Sequence, residues 1–174
     1  MDLSYIVRIV PALLRGAGVT LALFALVFPL SLPLGFLITL CANCRFKPVK
    51  WLAEAYIFVM RGTPLMLQLF FFYYGLPFLP GIGQYLRLSS FAAAALSFTL
   101  NYAAYFAEIF RGGLLSIDRG QYEVSHVLGL TSFQTMTRII IPQMIRVTLP
   151  SIGNEAITLV TVSYTHLTLP TILR

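Results

Sequence analysis

Charge is missing from three long stretches of this chain, and that absence constrains the fold more than any motif does. No Asp, Glu, Lys or Arg occurs from Gly16 to Cys44, a run of 29 residues. None occurs over the 25 residues from Gly62 to Leu86, or over the 20 from Leu88 to Ala107. A membrane-spanning helix needs about 20 mostly apolar residues. Within lipid its backbone groups must pair inside the segment, which makes it helical. Of the 174 residues, 58% are hydrophobic and 10% are charged, against roughly 25% charged in a soluble domain. So few charges cannot wet a soluble surface, and the expected class is an all-α integral membrane protein. A disordered or nucleic-acid-binding chain is excluded. The 12 basic and 6 acidic residues are thinly spread and read as topology, not as a polyanion-binding face.

The expected spans cover about 16–43, 62–80 and 89–110, with a partial fourth over about 149–161. Pro29 and Pro33 predict a bend in the first. Pro64 suits the first turn of the second, which closes at Pro77 and Pro80. The shorter apolar stretch from Trp51 to Met60 is placed at the interface. Seven basic residues (Arg45, Lys47, Lys50, Arg111, Arg119, Arg138 and Arg146) fall on one side of this arrangement. Three (Arg8, Arg15 and Arg87) fall on the other. The basic side lies inside, so the N-terminus is expected outside and the loop of about 111–146 inside.

Other classes find little support. Cys41 and Cys44 form a lone C-x-x-C without the second pair that zinc requires, and read as reduced thiols at a helix end. The N-terminus lacks a basic segment followed by a short apolar core and cleavage site, so it is not read as a cleaved signal peptide. There is no P-loop motif, so ATP, if used, is hydrolysed by another chain. A secondary transporter would need inverted repeats or a proton relay. A membrane enzyme would need a nucleophile and base or a metal set, and His126 and His166 are the only imidazoles. No cofactor is expected.

The inside loop is predicted to form a helix, a corner and a second helix. Residues Ser116 to Gly129 read as a short helix ending on a C′ glycine. Thr131 and Gln134 fit a capping box that opens a helix running to Pro142. Val124, Val127 and Leu128 give the first helix an apolar stripe beside Gln121 and Glu123. Such a helix suits a partner's groove or a resting place on the headgroups, and the physics alone does not choose.

Here the residues resemble a family. Glu123-Val124-Ser125, Gly129, Ile139, Ile141 and Pro142 match the E-A-A, three residues, G, nine residues, I-x-L-P loop of ATP-binding-cassette importer permeases. Val-Ser stands for Ala-Ala and Ile141 for Leu. Three more segments resemble the polar amino-acid branch (histidine, glutamine, arginine and glutamate type). They are Arg61-Gly62-Thr63-Pro64-Leu65 with Gln68-Leu69-Phe70-Phe71, then Ala107 to Gly113, then Leu149 to Glu155. The resemblance covers most of residues 10–160. It implies a type I ABC-importer permease fold in the bacterial cytoplasmic (inner) membrane. It also implies a second permease chain, identical or related, an extracytoplasmic amino-acid-binding protein and two ATPase subunits docked inside. The coupling residues would be Gln121, Tyr122, Glu123, His126 and Gly129. His126 has no ligand cluster around it and is read as a polar contact, not a metal site.

Asn101, Tyr105 and Glu108 lie at i, i+4 and i+7, on one face of the third span. Polar groups at membrane depth are costly and face protein or a wet path. A free amino acid needs an acceptor for its ammonium and donors for its carboxylate, and this face offers both. The resemblance places the equivalents of Asn101 and Glu108 along the amino-acid path. The alternative for Glu108 is an ion pair with Arg111 at i+3 or with Arg61 on the neighbouring span. Glu155 is a further candidate with the same alternatives. The aromatic run Phe70 to Tyr74 is expected at the lipid and outer interface.

From about Val162 the resemblance is expected to stop. The string Val162 to Thr171 resembles the conceptual translation of a sequencing adaptor, and His166 and Pro170 interrupt its apolar pattern. Residues 1–161 are therefore expected to form one permease domain, incomplete at its C-terminus, and 162–174 a non-native tail.

Overall fold

The computed structural model describes residues 3–80 and 83–172, with side chains described between 10 and 162 apart from 12, 81–82 and 84. The N-terminal five residues' side chains, Arg8, His166 and the tail side chains from Ser163 lie outside the described set. All regular structure among the described residues is helical. The helices are α1 (Leu3–Ala42), α2 (Lys47–Gly62), α3 (Leu65–Phe70), α4 (Ser90–Leu115), α5 (Arg119–Val127), α6 (Ser132–Thr135) and α7 (Ile141–Ile172).

Several expected boundaries move. The helix of α1 is not interrupted at Pro29 or Pro33. Each proline removes one donor, and membrane helices tolerate this where nearby groups re-satisfy the backbone. The second apolar run is not one long helix. It is α3, then a π turn over Phe71–Gly75, then a 3-10 turn over Leu76–Phe78. Pro64 caps α3 from outside, with extended ψ of 133°, and does not sit in its first turn. The helix opened by Thr131 does not stop at Pro142 either. It passes through a π turn over Met136–Ile140 and continues as α7. Both π turns lie just ahead of a proline, Pro77 or Pro142. The wider turn draws the preceding carbonyls away from a ring that would clash with them in an α-helix.

Leu13–Ala42 is by itself long and apolar enough to cross a membrane, with mean hydropathy 2.4. The α2 helix and the segment through Phe78 pass the same test only when taken together. The α4 helix has 26 residues, about 39 Å of rise. Its start is capped by Ser89, whose hydroxyl accepts from the Ala92 N–H at 3.2 Å.

The chain packs as two compact units. The first takes Met1–Leu30, Thr63–Asn101 and Glu155–Arg174. Its buried residues include Leu23, Val27, Phe98 and Leu159, and Phe24 stacks on Phe28 with ring centroids 5.2 Å apart. In the aromatic run, Phe70, Phe71 and Tyr74 are exposed, while Phe72 and Tyr73 are half-buried.

The second unit takes Ser31–Gly62 and Tyr102–Asn154. Its centre is a seam of small residues. Ser31, Gly35 and Thr39 recur every four residues on α1 and are buried. Opposite Gly35, α4 presents Ala103, Phe106 and Ala107. A Cβ at Gly35 would lie 2.7 Å from the Phe106 Cβ and 2.9 Å from the Ala103 carbonyl oxygen. Small residues let membrane helices approach this closely, where dispersion and hydrogen bonds replace the hydrophobic effect. The Thr39 hydroxyl lies 2.9 Å from both the Gly35 carbonyl of its own helix and the Ala107 carbonyl of α4. Its one proton is shared between two acceptors. Beside the seam, Phe36 meets Phe110 edge-on at 5.8 Å. A small cluster of Ala42, Ala53, Ile57 and Ala107 brings in α2.

Candidate functional site

In the first unit the only amide of the second apolar run that α3 carries, Gln68, is buried against α4. Asn101 is 5% exposed, and its amide donates to Gln68 Oε1 at 3.1 Å. The Gln68 amide in turn donates to the Thr63 hydroxyl at 2.7 Å and lies 3.2 Å from the Thr63 carbonyl. This relay places two buried amides, Gln68 and Asn101, where apolar groups would otherwise pack. Each is tolerated because its neighbour satisfies it. Glu155, on α7, is half-buried in the same unit.

In the second unit, Glu108 holds both of its expected partners. It is gripped in two places by Arg111, with Arg111 Nε donating to Oε2 at 3.0 Å and Nη2 donating to Oε1. Arg61 Nη1, from the end of α2, stands 3.8 Å from the same carboxylate. The Arg61 guanidinium also lies over the Tyr105 ring, 5.3 Å from its centroid. Cation–π contact and ion pair together fix where this cation points. Arg61, Glu108 and Arg111 border an open cavity of about 440 Å³, lined also by Glu54, Ile57, Phe58 and Ala42. It presents guanidinium donors and carboxylate acceptors to the same space.

The α4 helix is continuous through Asn101, Tyr105 and Glu108, as their spacing requires. Asn101 belongs to the first unit, and Tyr105 and Glu108 to the second. Sequence reasoning missed Gln68 as a partner of Asn101 and missed Arg61 on Tyr105. The signal for Gln68 was present, since an amide in the middle of an apolar run needs a partner.

The inside loop forms from local chemistry. The Asp118 carboxylate caps α5 by accepting from the Gly120 N–H at 2.7 Å. The helix ends in a Schellman motif. The Gly129 N–H donates to the His126 carbonyl and the Leu130 N–H to the Ser125 carbonyl, each at 3.0 Å. Gly129 takes φ +72°, the sole positive φ among the described residues. Thr131 and Gln134 then form the expected capping box. Gln121 Oε1 accepts from Gln143 of α7 at 3.3 Å. Tyr122 is half-buried, while Glu123 and His126 are exposed. Val124, Leu128 and Phe133 are exposed too, and Val127 is 88% exposed.

Comparison with known proteins accounts for this arrangement. Residues 31–169 match the family described as binding-protein-dependent transport system inner membrane component. That match runs past residue 161, where the resemblance was expected to stop. The arginine transport system permease protein ArtQ of Bacillus subtilis (strain 168) is 38% identical over 159 residues, covering 91% of this chain and 71% of the relative. The probable amino-acid ABC transporter permease protein PatM of Vibrio harveyi is 42% identical over 168 residues, covering 91% and 70%. Among solved structures, an amino acid ABC transporter with histidines superposes with a TM-score of 0.84 at 34% identity, over 97% of this chain and 78% of that one. The MetNI methionine ABC transporter shares the fold, with a TM-score of 0.66 at 21% identity. Such permeases are transporter subunits whose ATPase is a separate subunit, not enzymes. This chain belongs to the binding-protein-dependent transport system inner membrane components, among the amino-acid ABC transporter permeases.

Proposed function

We propose that this chain carries polar amino acids into the cytoplasm and that α5 couples it to separate ATPase subunits. The observation that carries the reading is the uncovered apolar surface around the Gly129 corner. Val124, Val127, Leu128 and Phe133 are exposed together, between polar Gln121, Glu123 and His126. A patch of large apolar side chains rimmed by polar ones marks a docking face. The chain is a multi-pass membrane protein with its N-terminus outside and α5 inside. It pairs with a second permease chain and receives substrate from an extracytoplasmic binding protein. Asn101, Tyr105, Glu108 and Glu155 contribute to the path. The mixed charges of Arg61, Glu108 and Arg111 match a zwitterion's two ends. A relative named for arginine transport supports a polar amino acid as cargo.

The test is reconstitution in proteoliposomes with the ATPase and binding protein. ATP turnover should rise when a polar amino acid is supplied on the binding-protein side. Turnover that ignores every amino acid, or a chain that transports without an ATPase, would overturn the reading. In the same assay Asn101→Ala is expected to reorder competition among amino acids, with the complex still recovered intact. Unchanged kinetics for all of them would remove Asn101 from the path.

A further inference from the structure

We propose that the corner between α1 and α2 binds anionic phospholipid headgroups, with Trp51 seated at the headgroup boundary. The proposal rests on the reading that this chain spans a membrane with that corner inside. Arg45, Lys47 and Lys50 fall within six residues and all are exposed. Glu54 is the only acid on α2, and it stands 3.8 Å from Lys50. Among the described residues Arg45 and Lys47 make no ion pair. Among the described residues the corner therefore carries a surplus of positive charge that no ion pair balances.

The apolar residues beside it point away from the protein. Ala53 and Ile57, one turn apart, face the packed cluster. Trp51 and Phe58 lie seven residues apart on another face, as do Leu52 and Val59, and all four are exposed. Trp51 is 71% and Phe58 78% exposed. Phe46 and Val49, interleaved with the cations, are exposed as well. Large apolar side chains outward, with Lys and Arg clustered at one helix end, is the pattern of a helix lying against a membrane surface. Indole prefers the headgroup level. Clustered cations there attract anionic lipid of the inner leaflet. An acidic protein partner would answer the charge but would leave the Trp51 and Phe58 face in water.

Trp51 is the single tryptophan of the chain, so its fluorescence reports this corner alone. The full chain is reconstituted into vesicles of phosphatidylglycerol and phosphatidylcholine in equal amounts, with one or the other brominated in its acyl chains. Brominated phosphatidylglycerol should quench Trp51 at least about threefold more than brominated phosphatidylcholine, a margin that three cations near the surface readily supply. Arg45→Gln with Lys47→Gln should bring that ratio close to one while both lipids still quench. A ratio of one in the unaltered chain overturns the proposal. So does absence of quenching in a chain that floats with the vesicles, because a second permease chain or an ATPase-type face then covers Trp51. A chain that fails to float overturns the membrane reading itself, and the proposal with it.

Discussion

Gly129→Val should cut substrate-stimulated ATP turnover about tenfold or more while the chain still inserts. The reason is handedness. Gly129 sits at φ +72°, where an L side chain costs roughly 1–2 kcal/mol and a β-branched one is a genuine outlier. No atom lies within 4 Å of a Cβ built there, so volume is not the obstacle. Relieving the strain would undo the bonds from Gly129 to His126 and from Leu130 to Ser125. The apolar face of α5 would then turn relative to α6. An equilibrium shift of that size is a factor of about 5–30. Gly129→Asn is the control, since Asn tolerates the left-handed region, and it should keep most of the coupling. Turnover at the unaltered level in Gly129→Val would sink the role of the corner. Equal loss in both variants would instead point to the missing hydrogen atom's neighbours in the partner, not to backbone geometry.

Gly35→Leu is expected to leave almost no folded protein after detergent extraction. Even Gly35→Ala should lower the melting midpoint by roughly 2 °C or more. Its Cβ would meet Phe106 Cβ at 2.7 Å and the Ala103 carbonyl at 2.9 Å. The carbonyl is backbone, so no rotamer change relieves the contact and the two helices must part. Overpacking of this kind costs about 1–3 kcal/mol. Parting the helices also breaks the Thr39 bond to Ala107. Gly18→Ala, on the same helix with open space around it, should be neutral or slightly stabilising because Ala is the better helix former. Size-exclusion recovery and thermal scans of the two variants side by side decide the matter. Gly35→Ala with an unchanged midpoint would show that the seam is looser than its distances say.

Much of the inside loop was legible in the sequence because its bonds are local. Thr131 and Gln134 reach three residues, and the Gly129 corner closes bonds three and five residues long. A motif read in a short window contains all of these. The partner of Asn101 was not legible, because Gln68 is 33 residues away and nothing in the spacing names it. The Glu108 ion pairs lay between. Arg111, three residues on, followed from helix geometry, and Arg61 needed the topology as well. Hydropathy located apolar segments but not their continuity. Pro142 suggested an end, yet the helix runs on past it as α7.

The π turn over Met136–Ile140 also resets the angular phase of everything that follows it. Thr135 is buried just before the turn and Ile140 at its end, five residues on, and then Met144 and Thr148 at steps of four. A helical wheel drawn in one sweep from Ser132 would bring Ile139 inward and put Ile140 about 140° away from Thr135 and the packed side. The wheel for α7 must therefore start afresh at Ile140. A scan of labels or cysteines along this helix, interpreted without that phase slip, would assign inward and outward positions to the wrong residues.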